Sequence, residues 1–206
     1  MAAVGILGGT FNPPHVGHLV MASEAAAQLG LDHVVLMPVH TPPHKEVVGD
    51  PGPEVRAGLC ELAVAGDDRF SVSRLEVERG GPSYTVATLG EIHATRPGDQ
   101  LTFIVGGDVA AGLASWREPE ALAGLARLAV AERAEVRRTE IAERIGSLVP
   151  LSRLAFFDMP RMDISSSEIR RRVAAGRPIR YLVPDRVAEA IATQSLYTPA
   201  GGTTTA

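Results

Sequence analysis

Segments of strand-like and helix-like composition alternate along almost the whole chain, and this alternation constrains the fold more than any other feature. Apolar runs of strand length lie at 4–7, 33–39, 70–77, 101–105, 128–131 and 153–159. Helix-forming runs lie between them at 19–29, 54–65, 84–94, 118–126 and 138–145. Strands that alternate with helices form parallel sheets. The pattern predicts an α/β fold with a parallel sheet flanked by helices.

The C-terminal part of the sequence has a different character. Ser165 and Glu168 have the spacing of a capping box, which predicts a helix that ends before Gly176. A last helix is predicted over 184–195. We therefore expect a single domain over 1–197 that ends in a small helical part, followed by a flexible, small and polar tail at 198–206.

Composition restricts the class of protein. A chain of 206 residues that is 45% hydrophobic can bury a substantial core, and its net charge of −4 argues against a broad nucleic-acid-binding surface. The one cysteine, Cys60, excludes an internal disulfide and a cysteine-based zinc site. Met1 leads directly into the first strand and no apolar run approaches about 18 residues, so we expect a cytoplasmic protein with no membrane contact. Small-molecule partners are favoured, and homo-oligomerisation stays open.

The turn after the first strand has the sequence GGTFNPPHVGHL, at 8–19. Gly8 and Gly9 let the backbone approach a ligand closely, and the helix that follows offers unpaired N–H groups and the positive end of its dipole. In open α/β sheets, ligands bind beyond the carboxyl ends of the strands, where this turn lies. The turn therefore favours a phosphate ligand.

Two common phosphate-binding motifs do not match this turn. It has no Lys before Ser or Thr, as a Walker A loop requires, and its glycines do not follow the dinucleotide pattern G-x-G-x-x-G. His15 and His18, three residues apart, are the candidates for donating N–H groups to phosphate oxygens. The alternatives are a helix-capping role and a zinc site, although the zinc pattern H-E-x-x-H is absent.

The residues 8–11 (GGTF) with 15–18 (HVGH), and the downstream residues 164–170 (ISSSEIR), resemble the two signature motifs of the HxGH nucleotidyltransferases. Within that superfamily the chain most resembles the bacterial nicotinate-nucleotide adenylyltransferases, over about 4–196. Intermediate stretches also match, at 42–45, 56, 81–85, 88–89, 106–108, 115–116 and 181–185. The chain departs from the family pattern at Asn12, where Asp is commoner, at Ser167, where Thr is usual, and at 118–119, where a more aromatic run is usual.

The resemblance implies a Rossmann-like nucleotidyltransferase fold and a reaction. AMP would be transferred from ATP to nicotinate mononucleotide, giving deamido-NAD (nicotinate adenine dinucleotide) and pyrophosphate, in NAD biosynthesis. The acceptor phosphate is already an anionic nucleophile, so the chemistry needs positioning and charge stabilisation and no activated Ser or Cys. Mg²⁺ is expected to be bound mainly through ATP oxygens and water, without protein ligands.

The resemblance also assigns candidate roles to residues. His15, His18 and Arg170 would be catalytic, because they would hold the ATP phosphates and stabilise charge on the departing pyrophosphate. Asp108 would contact the adenosine ribose or the water around the metal, unless it only caps a helix. The full predicted ATP-binding set is Gly8, Gly9, Thr10, Phe11, His15, His18, Gly106, Asp108, Ile164, Ser165, Ser166 and Arg170.

A second set is predicted to bind the acceptor. Trp116, the one tryptophan, would stack on the pyridinium ring, unless it is a core residue. Tyr84 and Thr85, at a helix start, would receive the nicotinate carboxylate. The candidates for the acceptor phosphate are His44, Lys45 and Arg133. Because a carboxylate differs from an amide by a full charge, donors placed here could discriminate nicotinate from nicotinamide.

The sequence leaves other functions open. The same chemistry could act on nicotinamide mononucleotide or phosphopantetheine, although a phosphopantetheine enzyme would normally be shorter and lack the loop at 42–45. A class I aminoacyl-tRNA synthetase would need an anticodon-binding domain, for which the chain has no room. A non-catalytic ATP-binding sensor would not need His15, His18 and Arg170. Whether the loop at 40–53 closes on substrate is also open.

Overall fold

The computed structural model describes residues 1–43, 47–132 and 134–199. Its described strands form one sheet in the order β3-β2-β1-β4-β5-β6, and every neighbouring pair is parallel. The strands are β1 (Ala3–Gly9), β2 (His33–Pro38), β3 (Phe70–Val72), β4 (Gln100–Gly106), β5 (Arg127–Ala131) and β6 (Leu154–Phe157). The predicted α/β fold with a parallel sheet is confirmed.

Helices connect the strands and cover both faces of the sheet. They are α1 (Val16–Leu29), α2 (Pro53–Val64), α3 (Leu75–Arg79), α4 (Thr85–Thr95), α5 (Gly107–Ala111), α6 (Pro119–Leu125), α7 (Glu135–Ile145), α8 (Ser166–Ala174) and α9 (Asp185–Thr193). Short 3₁₀ turns lie at Leu113–Ser115 and Leu151–Arg153. Helix α1 begins three residues before the predicted start at Leu19, directly after its N-cap residue His15.

The alternation of side chains along the strands separates two hydrophobic clusters. Val4 and Ile6 of β1 belong to the cluster that also contains Leu89, Phe103 and Val105. The opposite face of the sheet packs against α1 and α2, through residues that include Leu7, Ala22, Leu36, Cys60 and Ile104. Because period-two alternation sends successive side chains to opposite faces, a strand buried on both sides reads as a continuous apolar run.

One predicted strand is wrong over most of its length. The apolar run at 70–77 forms a strand only over Phe70–Val72, and Leu75–Arg79 is the helix α3. Ser73 and Gly80 bound this helix: the Ser73 hydroxyl accepts the Leu75 N–H at 3.3 Å, and Gly80 adopts φ 72°, which favours glycine. Val77 and Glu76 are consecutive and both buried, which a half-exposed strand cannot achieve but a short helix can.

The C-terminal helices form a third packed unit. Ile169 of α8 and Val187 and Ile191 of α9 are buried against Leu59 of α2. This arrangement confirms the predicted small helical part, which is packed on the rest of the domain. The predicted tail falls mostly outside the described residues, which end at 199. Within the described part of the chain, no helix is both long and apolar enough to cross a bilayer.

The strand order fixes where a ligand can bind. After β1 the chain adds β2 and β3 on one side of the sheet, and then crosses to add β4, β5 and β6 on the other. The connection after β1 leads to β2 and the connection after β4 leads to β5, in opposite directions along the sheet, so the loops that begin near Gly9 and Gly106 border a crevice. Such a switch point is the usual ligand site of an open α/β sheet.

Candidate active site

Three cavities lie at the carboxyl edge of the sheet. The histidine cavity is lined by residues that include Thr10, His15, His18, Ser165 and Arg170. The tryptophan cavity is lined by Gly8, Gly9, Thr10, Glu76, Tyr84 and Trp116, among others. The Asp108 cavity lies over the ends of β4 and β5 and is lined by Gly106, Asp108 and Arg137. Thr10 belongs to both of the first two cavities, so these two are neighbours.

The two histidines of the first turn are stacked on one another. Their ring centroids are 3.7 Å apart, with an angle of 28° between the ring planes. The edge of the Phe11 ring contacts the His18 ring, with centroids 4.9 Å apart. Gly17 makes this arrangement fit, because a Cβ at that position would lie 3.1 Å from His15 Nδ1. The pattern H-x-G-H therefore places two imidazoles at one point of the cavity wall.

A backbone hydrogen bond fixes the tautomer of His18. The His15 N–H donates to His18 Nδ1 at 3.1 Å, which is the capping bond at the start of α1. Since Nδ1 accepts, neutral His18 carries its proton on Nε2, from which it can donate to a ligand. The capping role and the ligand-binding role, which the sequence offered as alternatives, are therefore compatible in this residue.

Burial keeps His15 uncharged. The residue is only 7% exposed, and burial lowers its pKa from 6.5 to about 4. Its Nδ1 is buried and makes no hydrogen bond to any residue that the structure describes. At neutral pH His15 is therefore a neutral donor that is already desolvated, as expected of a group directed at charge that develops during a reaction.

Arg170 connects the second motif to the first turn. Its Nη1 donates to the Asn12 backbone oxygen at 2.7 Å, and its Nη2 donates to Ser167 Oγ at 3.3 Å. The Ser166 hydroxyl donates to the Pro13 backbone oxygen at 2.8 Å. The bonds from Arg170 to Asn12 and from Ser166 to Pro13 join residues 158 and 153 positions apart, and together they hold the guanidinium in the wall of the histidine cavity.

The helix α8 begins at the same cavity. Ser165 is its N-cap, and the Ser165 hydroxyl accepts the Glu168 N–H at 3.2 Å, which is half of the predicted capping box. Glu168 does not reach back in the described structure and instead pairs with Arg171 and Arg172. The histidine cavity thus collects two helix N-termini, two imidazoles and one guanidinium, which is a donor set suited to a polyanion.

A buried arginine supports the first turn from behind. Arg56 on α2 is 0% exposed and donates to the backbone oxygens of Thr10, Val39 and His40 at 2.7 to 2.9 Å. Its Nε donates to Asp50 at 2.8 Å, which compensates its charge. One side chain therefore fixes the end of β1 relative to the loop that follows β2.

The tryptophan cavity combines an aromatic wall with one buried carboxyl. Trp116 contacts Phe103 edge to face, with ring centroids 5.9 Å apart. Glu76, 5% exposed, accepts the Thr88 hydroxyl at 2.5 Å, and its Oε2 makes no hydrogen bond within the described residues. Burial raises the pKa of Glu76, against the opposing effect of the hydroxyls of Thr88 and Ser83.

The Asp108 cavity is more open than the other two. The Asp108 side chain is 92% exposed and accepts a hydrogen bond from Arg137 on α7. Gly106 is the N-cap of the short helix α5 and Asp108 lies in its first turn. Gly107 lets Glu132 approach the backbone here, because a Cβ at that position would lie 2.7 Å from Glu132 Oε2 and would displace that side chain.

The structure brings most of the predicted site residues together. In the histidine cavity lie Thr10, Phe11, His15, His18, Ile164, Ser165, Ser166 and Arg170; in the tryptophan cavity lie Gly8, Gly9, Tyr84, Thr85 and Trp116. Gly106 and Asp108 lie apart from these, in the Asp108 cavity. His44, Lys45 and Arg133 lie outside the described residues, although Pro43, at the edge of the gap, lines the tryptophan cavity.

Three residues at the site had no role in the sequence-based prediction. Arg56 was among the positions that match the family pattern but was given no role, and Glu76 could have been found as a charge inside an apolar run. Arg117 directly follows the one tryptophan, but the neighbouring residues in the sequence do not distinguish it from an ordinary solvent-exposed arginine. Contacts between distant segments, which sequence spacing does not show, give all three their importance.

The donor set of the histidine cavity suits an anion better than a metal ion. Among the described residues, no group of three or more His, Cys, Asp and Glu side chains could hold a metal. The described lining of the histidine cavity contains imidazoles, hydroxyls and a guanidinium, and no carboxylate. These groups fit the oxygens of an anion rather than a divalent cation, which prefers carboxylate ligands.

The chain belongs to the cytidylyltransferase-like family, whose model matches residues 6–172. The match contains the histidine pair, the tryptophan and Arg170. It defines the class of protein to which this fold and this site belong.

Close relatives narrow the class further. A probable nicotinate-nucleotide adenylyltransferase from Tropheryma whipplei (strain Twist) is 42% identical over 191 residues, which are 93% of this chain and 97% of the relative. One from Frankia alni is 42% identical over 93% of this chain and 98% of the relative. Among enzymes of this family, the chain is thus grouped with the nicotinate-nucleotide adenylyltransferases.

A solved structure supports the fold independently. A nicotinic acid mononucleotide adenylyltransferase from Plasmodium falciparum, solved in complex with APC, superposes with a TM-score of 0.77 at 17% identity and covers 96% of this chain and 98% of its own. The same Plasmodium protein has also been solved in complex with NaAD. At this identity the likeness shows the fold alone.

Proposed function

We propose that the chain transfers AMP from ATP to nicotinate mononucleotide, giving deamido-NAD and pyrophosphate, in NAD biosynthesis. One observation carries the proposal: a cavity lined by His15, His18 and Arg170 shares Thr10 with a cavity lined by Trp116. The relatives from Tropheryma whipplei and Frankia alni are named as probable nicotinate-nucleotide adenylyltransferases, and that name denotes this reaction. A cytoplasmic location, expected from the sequence, is part of the proposal.

In this proposal the histidine cavity holds the triphosphate of ATP. The acceptor phosphate attacks the α-phosphorus, the bond to the bridging oxygen of pyrophosphate breaks, and negative charge moves onto the leaving group. His18, through Nε2–H, and neutral His15 donate to this charge, while Arg170 and the start of α8 hold the outer phosphates. These donors are fixed before substrate arrives, because His18 and Arg170 are held by backbone groups.

The acceptor occupies the tryptophan cavity. Trp116 stacks on the pyridinium ring, and the start of α4 at Tyr84 and Thr85 receives the ring substituent. The acceptor phosphate then lies toward Thr10, where the two cavities meet. Its charge is sufficient for attack, so no residue has to remove a proton from the nucleophile.

The Asp108 cavity receives the adenosine. Gly106 and Gly107 leave room for the ribose and the base at the end of β4, and Asp108 lies where it can accept a ribose hydroxyl. Mg²⁺ enters as part of the MgATP substrate, held by phosphate oxygens and water, since the described cavity residues offer it no carboxylate cage.

A pyrophosphate-release assay tests the proposal. Purified protein is incubated with ATP and Mg²⁺ and with nicotinate mononucleotide, nicotinamide mononucleotide or phosphopantetheine. We expect release to be fastest with nicotinate mononucleotide, together with formation of deamido-NAD. Faster release with another acceptor would reassign the substrate, and tight ATP binding without release for any acceptor would identify an ATP sensor.

A further inference from the structure

Arg117 lies at the rim of the tryptophan cavity, directly after Trp116. Its guanidinium carbon is 4.7 Å from the centroid of the Tyr84 ring, and the side chain is 58% exposed. A guanidinium stacked on an aromatic face keeps its N–H groups in its own plane, at the edge of the stack. Tyr84 therefore positions a cation beside the cavity and leaves its donors accessible.

The existing partner of Arg117 holds it only weakly. Its Nε donates to Glu118 at 3.3 Å, and these side chains are 58% and 62% exposed. An exposed ion pair of this kind contributes little to stability. Neither Nη atom donates a hydrogen bond to any residue in the described ranges. A ligand carboxylate could therefore take both Nη donors in the paired geometry that guanidinium and carboxylate favour.

The charge of the tryptophan cavity makes this cation important. Among the described lining residues, Arg117 is the one basic side chain and Glu76 the one acidic side chain. Glu76 is buried and already has a cation beside it, since Arg79 Nη2 lies 4.0 Å from Glu76 Oε1. Among the described lining residues, Arg117 is therefore the cation that a ligand carboxylate can reach, and an uncharged amide on the same ring gains nothing from that charge.

From this geometry we infer that the Arg117 side chain binds the ring carboxylate of the acceptor and sets the preference for nicotinate over nicotinamide. The inference rests on the proposed function for the identity of the acceptor. It assigns discrimination to the side-chain charge of Arg117, which acts on the same ring substituent that the start of α4 at Tyr84 and Thr85 receives in the proposed function.

Direct binding measurements test the inference without requiring turnover. The dissociation constants of nicotinate and nicotinamide mononucleotide are measured by calorimetry for the unaltered protein and for Arg117→Gln. We expect the variant to bind the nicotinate form about 10-fold to 100-fold more weakly, the scale for loss of a charge-assisted hydrogen bond. Binding of the nicotinamide form should change by less than about 2-fold, as expected for a contact specific to the carboxylate.

Two further variants sharpen the test. Arg69→Gln is the matched control, because Arg69 is 57% exposed, pairs with the nearby Asp67 and lies 5.0 Å from the Phe70 ring centroid, away from the three cavities. It should change neither dissociation constant. Glu118→Gln removes the competing carboxylate, and it should strengthen binding of the nicotinate form by about 2-fold, the scale of a weak exposed ion pair.

Equal weakening for both acceptors in Arg117→Gln would overturn the inference, because it would indicate a packing role. An unchanged dissociation constant for nicotinate mononucleotide would overturn it as well. A pyrophosphate-release assay on the same preparations tests the proposed function separately from this inference. If Arg117→Gln selectively weakens binding of nicotinate mononucleotide but the unaltered protein releases no pyrophosphate, the inference is supported and the proposed reaction is contradicted.

Discussion

At the scale of single residues, the stacked imidazoles limit the charge that the site can carry. Two protonated rings 3.7 Å apart would repel each other, and burial already disfavours the charged form of His15. The pair therefore carries at most one added proton near neutral pH. The histidine pair therefore contributes oriented N–H donors to the reaction, and these donors do not have to be reprotonated between turnovers.

Replacing His18 tests the donor role. We expect His18→Ala to lower kcat by about 10²-fold or more, the scale for removing one preorganised donor to transition-state charge. The KM for the acceptor should change little, because His18 lies in the neighbouring cavity. Steady-state kinetics check this, with His33→Ala as the control. His33 is also half-buried but lies at the amino end of β2, against Ser71. Near-normal kcat in His18→Ala would contradict the role.

Burial of His15 predicts a pH dependence of stability. Unfolded His15 takes up a proton as the pH falls below 6.5, whereas the folded form resists protonation until about pH 4. Stability present above pH 6.5 is therefore lost as the pH falls through this window, by up to about 3 kcal/mol. Urea unfolding at pH 7 and pH 4 should show a smaller loss in His15→Asn than in the unaltered protein. Equal losses would contradict the assignment.

At the scale of elements, the sequence predicted regular segments well and short ones poorly. The runs that became β1, β2, β4 and β5 were recognisable because each is buried on both faces and so continuously apolar. Helix α3 was predicted as strand because five residues are too few to show a helical period. Helix α5 was not predicted at all, since it begins directly after β4 at Gly107.

The site shows the same division between local and distant information. The residues 15–18 and 164–170 could be predicted because each motif is contiguous in sequence. The role of Arg56 could not, because it depends on the oxygens of Thr10, Val39 and His40, which come from two separate segments. The three cavities were likewise not separable from sequence, and Gly8 and Gly9, expected at ATP, line the tryptophan cavity.

Glu76 connects α3 to the start of α4, and its removal should act on both stability and acceptor binding. Glu76→Ala removes the carboxyl that accepts the buried Thr88 hydroxyl at 2.5 Å, so the free energy of unfolding should fall by about 1 to 3 kcal/mol. The KM for the acceptor should rise while that for ATP stays unchanged.

Urea unfolding and steady-state kinetics measure both effects of Glu76→Ala. Glu76→Gln keeps an acceptor oxygen and should restore much of the loss, and the exposed neighbour Glu78→Ala is the control. An equal rise in the KM for ATP and the KM for the acceptor would contradict the prediction, because it would show that Glu76 stabilises the fold without a specific role in the tryptophan cavity.

At the scale of the whole molecule, the C-terminal unit completes the site. The Val16 N–H donates to the Leu182 oxygen at 3.0 Å, which attaches the start of α1 to the segment before α9. Together with the hydrogen bonds that Ser166 and Arg170 donate to the first turn, this bond attaches the turn after β1 to the C-terminal helices. A ligand that contacts both motifs therefore also holds the domain to its C-terminal helices.

This connection predicts that ATP stabilises the protein against unfolding. At about 100 times its dissociation constant, ATP should add about 2.7 kcal/mol to the free energy of unfolding. We expect Arg170→Ala to lose most of this increment at the same ATP concentration, and Arg171→Ala, altered at the next and more exposed position of α8, to keep it. Denaturant unfolding with and without ATP measures both, and a full increment in Arg170→Ala would contradict the assigned contact.

Thr10 belongs to the walls of two cavities, and this has a practical consequence for inhibitor design. An aromatic acid joined to a polyphosphate mimic by a linker that passes this residue would occupy both chambers as one compound. Such a compound loses translational freedom once instead of twice, so the affinities of its two halves reinforce each other. Compounds of this type should be sought by linking fragments across the shared wall.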